Sequence, residues 1–137
     1  MLSSRERRQR GASLVELSLV LLILVLLLAG VIDFGRAFNS YIVVTNASRE
    51  GAREASRSPN SETKIEDAVR QEAIGSAVDP DDLVITVDGL DAELGQPITV
   101  TVAYTVPTII ADIAGFGELP LRARTAMVVF GFEGQGQ

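Results

Sequence analysis

From Leu14 to Ile32 the chain runs 19 residues with only Glu16 and Ser18 breaking its apolar character. Few folds can use such a segment. As a helix it is about 28 Å long at 1.5 Å per residue, close to the roughly 30 Å hydrocarbon thickness of a bilayer. Arg5, Arg7, Arg8 and Arg10 precede it, and Asp33 and Arg36 mark its far edge. Residues 1–11 carry a local charge of +3, so the formal net charge of −6 hides −9 on everything after Gly11. Basic residues collect on the cytoplasmic side of a span, which predicts a cytoplasmic N-terminus and an external C-terminal body in a single-pass inner or cytoplasmic membrane protein. A removable secretory signal is the rival reading. Its apolar core usually spans about 7–15 residues, shorter than this one, and Leu28-Ala29-Gly30-Val31 is a poor cleavage site.

Beyond the span, enough chain remains for one small domain. Cysteine and histidine are both absent. That removes disulfides, thiolate sites, the commonest general base and the commonest metal ligand. No nucleophile elbow, phosphate loop or metal-ligand cluster is readable, so neither enzymatic activity nor a cofactor is expected. The acidic body argues against nucleic acid as a partner, because phosphate binding needs clustered Lys and Arg.

Glu16 is the expensive residue. A carboxylate inside a membrane helix is rare and marks a functional site by default, although one this near the boundary can also reach water. It stands five residues after Gly11. Gly11-Ala12-Ser13-Leu14-Val15-Glu16 resembles the class III signal of type IV pilins and pseudopilins, in which a prepilin peptidase cuts after the glycine and leaves a glutamate at the fifth mature position. The resemblance implies cleavage between Gly11 and Ala12. Ala12 departs from the large aromatic found there in many type IV pilins. The chemistry is coherent: a new α-ammonium at Ala12 and the Glu16 carboxylate, on the same or a neighbouring helix, can neutralise each other where unpaired charges are costly.

No proline or loop cluster interrupts the chain until Ser58-Pro59-Asn60-Ser61. Helix is therefore expected from Leu14 to Ser56, about 65 Å, with Gly30, Gly35 and Gly51 as weak points of about 1 kcal/mol each. Ala47, Gly51 and Ala55 recur at i, i+4 and i+8, a face that lets another element approach closely. Arg49, Glu50, Arg53 and Glu54 lie on other faces as a solvated, locally paired set. Val31-Ile32-Asp33-Phe34-Gly35-Arg36-Ala37-Phe38, followed by Val44-Thr45-Asn46-Ala47-Ser48-Arg49-Glu50-Gly51-Ala52-Arg53-Glu54-Ala55, resembles the TadE-like domain of minor pseudopilins of the tight-adherence (Tad, Flp-type, type IVc) pilus. This resemblance covers residues 11–56. It implies as partners a prepilin peptidase, other pilins and pseudopilins, an assembly platform with a cytoplasmic ATPase, and membrane lipid.

The remaining residues predict an α+β fold: a long N-terminal transmembrane and stalk helix, a second amphipathic helix and a three-stranded antiparallel sheet. Thr63-Lys64-Ile65-Glu66 fits a capping box, opening a helix with Ile65, Ala68, Val69 and Ala73 on one face and ending near Gly75. Val78-Asp79-Pro80-Asp81-Asp82 reads as a turn. Leu83–Val87, Ile98–Val106 and Leu121–Phe130 alternate as strands, with a connection or short helical turn over 108–117. Asp79, Asp81, Asp82 and Asp88 are an acidic group without the order of an EF-hand loop, so a solvated turn is expected. The sequon Asn46-Ala47-Ser48 falls on a helix and is read as chance. The organisation is a leader at 1–11, a membrane helix at 12–32, an outer stalk at 33–57, a small outer domain at 58–132 and a tail at 133–137. Two functions fit: a processed minor pseudopilin that assembles into a Tad-type pilus for surface adherence, or an uncleaved anchor presenting an external binding domain.

Overall fold

The computed structural model describes residues 4–115 and 118–130. Helix α1 spans Ser4–Arg57 without a break, 54 residues, or about 80 Å. The three glycines do not interrupt it. Their propensity cost is small beside the packing of the outer half, and tertiary contacts set most helix stability in proteins. Pro59 disfavours helical geometry in the residue before it, and α1 stops at Arg57 with the Ser58 N–H still bonded to the Glu54 carbonyl at 2.9 Å.

Helix α2 spans Glu62–Ala73 and buries Ile65, Val69 and Ala73. The capping box at Thr63 does not form. The N-cap is Ser61, with no side-chain capping bond, and Thr63 already lies in the first turn. The cause is the preceding turn. The Ser61 N–H closes on the Ser58 carbonyl at 3.1 Å, which starts the helix earlier and brings Ile65 against the core. A short 3₁₀ turn, Pro80–Asp82, leads into the sheet.

Strands β1 (Val84–Asp88), β2 (Pro97–Val106) and β3 (Leu119–Val128) form an antiparallel sheet in the order β1-β2-β3. Val87 faces Val100, and Val100 faces Thr125. Alternation sends Ile98, Val100, Val102, Tyr104 and Val106 inward, where they are buried with Val44, Ala47, Ala52 and Ala55 of α1 and with the apolar face of α2. Thr99 and Thr101 point the other way, yet they too are buried, because the central strand is flanked by Thr86 and Asp88 on one side and Arg124 and Ala126 on the other. Pro120 is accepted in β3 because that strand is an edge. The connection from β2 to β3 contains a helix, α3 (Ile109–Ala114).

Backbone bonds tie the sheet to the end of α1. Phe130 N–H donates to the Ser56 carbonyl at 3.1 Å, and Asp91 N–H donates to the Pro59 carbonyl at 3.0 Å. The expected tail at 133–137 lies outside the described residues.

Candidate functional site

Helix α1 changes character along its length. From Ser13 to Leu28 every described side chain is exposed, and among the described residues none of the most apolar stretch is buried. An exposed apolar cylinder of this length needs lipid or other helices around it. Gly11 and Ala12 lie inside the continuous helix, and Gly11 has open space around it. Glu16 is exposed on the same helix, four residues after Ala12. That spacing is about one helical turn along the backbone.

From Asp33 onward one face is covered. The buried α1 residues are Asp33, Ser40, Val44, Ala47, Ser48, Gly51, Ala52, Ala55 and Ser56. They recur every three or four residues, and apart from Asp33 and Val44 they are glycine, alanine or serine. This stripe carries Ala47, Gly51 and Ala55 and places all three against the chain's own outer domain. Gly51 is the tightest point. A Cβ there would run into Val69 Cγ2 of α2 and lie 3.1 Å from Val100 Cγ1 of β2. The second helix and the central strand thus converge on one α-carbon.

Two polar residues on this stripe make contacts that the sequence pattern does not reveal. Ser48 donates to the Thr45 carbonyl at 2.9 Å, leaving its oxygen to accept from the Thr125 hydroxyl of β3 at 2.8 Å. The serine of the sequon is therefore committed to packing. Asp33, only 7% exposed, accepts the backbone N–H of Ile109 on Oδ1 at 2.9 Å and that of Ile110 on Oδ2 at 2.8 Å, both from α3. Those two N–H groups hold its carboxyl below the ordinary 3.8, helped by Arg36 and opposed by burial. The signal for Asp33 was available: it falls on the 3–4 spacing that continues downward from Ala55 through Ser40. Its partner lies 76 residues away, which no local pattern reveals.

The other charges stay local. Arg53 and Glu50 form an exposed pair at 2.5 Å, beside an open depression of about 290 Å³ lined also by Asn46, Arg49, Glu72 and Met127. A second open depression, about 340 Å³, is lined by Asp82, Tyr104, Thr105, Pro107 and Glu118. In the acidic turn Asp79 accepts the Asp81 N–H at 3.0 Å, and Arg70 donates to the Pro80 carbonyl. Asp88 is at the opposite end of β1. Among the described residues no group of three or more potential metal ligands converges.

Residues 11–53 match the family model for TadE-like protein. The match opens at the Gly11 junction, runs through the exposed apolar half of α1 and closes just beyond Gly51. The outer sheet and α2 lie outside it. No curated protein and no solved structure matches the chain. Over these residues the N-terminal helix is similar to TadE-like proteins.

Proposed function

Taking the TadE-like helix as premise, we propose that this chain is a minor pseudopilin, cut between Gly11 and Ala12 by a prepilin peptidase on the cytoplasmic face and then assembled at or into a Tad-type pilus that serves surface adherence. The observation that carries the proposal is the division of α1. Its outer half is packed by the chain's own domain, whereas the described side chains from Ser13 to Leu28 are all exposed, and the family match spans both parts. A bare apolar helix serves first as a membrane anchor and then, once withdrawn by a platform and its ATPase, as a packing surface for the equivalent helices of other pilins.

Glu16 has a defined part in this scheme. Removal of the arginine-rich leader creates an ammonium at Ala12, one helical turn from the carboxylate or facing that of a neighbouring subunit. In an apolar surrounding each charge is tolerated only when paired, so the pair favours one axial register between subunits. Ala47, Gly51 and Ala55 act earlier, holding the outer domain on the stalk.

The test is to express Glu16→Ala in cells that build the pilus. The variant is expected to insert and to be cut, and to disappear from sheared pilus fractions. Its recovery in those fractions at the level of the unmodified chain would remove the role given to the carboxylate.

A further inference from the structure

The outer domain reaches down α1 as far as the membrane span. Val100 of β2 lies beside Gly51, while α3, which follows β2, lies beside Gly30 and Asp33. The eighteen residues from Gly51 back to Asp33 are about 27 Å of helix. The nine from Val100 to Ile109 are about 30 Å of extended chain. Strand β2 therefore runs alongside the stalk and delivers α3 to the point where the apolar run ends.

There α3 is held in two ways. Asp33 takes the N–H groups of Ile109 and Ile110. The Ile110 side chain rests over Gly30, with Cδ1 3.4 Å from where a Cβ would stand. Gly30 is two residues inside the end of the apolar run, so Ile110 sits about 3 Å below that edge. Two other described side chains of α3 face outward. Ile113 is 69% exposed and Ile109 37%. Val31, Ile32 and Phe34 are likewise exposed on α1, in the turn that carries the α3 contacts at Gly30 and Asp33.

We propose that α3 is a foot on the bilayer: Ile113 and Ile109 enter the outer acyl–headgroup boundary, and lipid is what covers them. An apolar face at this depth meets acyl chains because the neighbouring α1 surface does. The outer domain then stands on the membrane at a fixed height, braced by Asp33, and leaves lipid together with the span when the subunit is withdrawn. The inference rests on α1 spanning the membrane.

The chain contains no tryptophan, so one introduced indole is an unambiguous probe. Ile113→Trp, Leu22→Trp and Val84→Trp report on α3, the middle of the span and an exposed strand edge. Each full-length variant is reconstituted into phosphatidylcholine vesicles with and without lipid brominated high on the acyl chain. Ile113→Trp is expected to emit at shorter wavelength than Val84→Trp and to lose at least half its intensity to the brominated lipid. Quenching at Leu22→Trp without quenching at Ile113→Trp overturns the foot while leaving the span intact. Loss of quenching at both removes the membrane reading itself. A blue-shifted but unquenched Ile113→Trp whose shift depends on the protein-to-lipid ratio assigns the surface to a second copy of the chain and also overturns the proposal. The chain also has no cysteine, so a spin label at Ile113→Cys gives an independent depth: greater accessibility to oxygen than to a water-soluble nickel complex is expected, and the reverse refutes it.

Discussion

Gly51→Ala is the smallest change that separates packing from helix propensity in this chain. On propensity alone it stabilises, by about 1 kcal/mol. The added methyl, however, would meet Val69 Cγ2 well inside contact distance and Val100 Cγ1 at 3.1 Å. Both valines are fully buried. Val69 is on a helix, where a β-branched side chain has one strongly preferred rotamer, so it cannot turn aside cheaply. Val100 is held between two strands. Relief requires α2 or the sheet to shift off α1, and overpacking of this sort costs about 1–3 kcal/mol. The net expectation is a loss of about 1 kcal/mol, or roughly 4–8 °C in the melting temperature of a domain this size. Gly35→Ala is the matched control, because nothing lies within 4 Å of a Cβ there and only the propensity gain remains. The melt is followed in detergent by near-ultraviolet circular dichroism of Tyr104, which is buried in the sheet core, whereas Tyr41 is exposed. If Gly51→Ala raises the midpoint as Gly35→Ala does, the close approach at Gly51 is not there and the reasoning fails.

Other consequences follow from the same contacts. The lowered carboxyl pKa of Asp33 means that its contribution to the α1–α3 contact is fully present above the ordinary 3.8 and is lost as pH falls through the lower folded value. The Ile109 and Ile110 amide resonances should move together over that acidic window, and Asp33→Asn should abolish the movement. Ser48→Ala leaves the Thr125 hydroxyl without its partner on α1 and is expected to cost about 1 kcal/mol, whereas Ser48→Ala with Thr125→Val should recover most of it, read as the coupling in a double-mutant cycle. Glu50→Ala, which removes the exposed pair to Arg53, should change stability by less than about 0.5 kcal/mol in thermal unfolding.

Elements defined by periodicity were legible in the sequence, because burial on one face of a helix or strand imposes its own spacing. The threonine–apolar alternation from Ile98 to Val106 located β2 closely, and the apolar run with its arginines gave the extent of the exposed half of α1. Contacts made by a partner distant in sequence were not legible. Nor does residue identity alone fix a helix start: Thr63 and Glu66 suit a capping box, but the local turn through Pro59 starts α2 earlier. Asp33 looked like an edge marker of the span, and only the return of the chain at Ile109 makes it the brace for α3. The small-residue face was read from Ala47 to Ala55, while the buried stripe extends through Ser40 to Asp33. Serine and aspartate do not announce burial, since each is buried only when bonded.

Removal of the leader is the step that makes the helix competent for assembly, and the N-terminus of the membrane-extracted protein reports on it. Intact mass and N-terminal sequencing, on chain isolated from cells with an active prepilin peptidase, should show a mature protein beginning at Ala12. A stable population beginning at Met1 in those cells would contradict that removal and favour the uncleaved anchor.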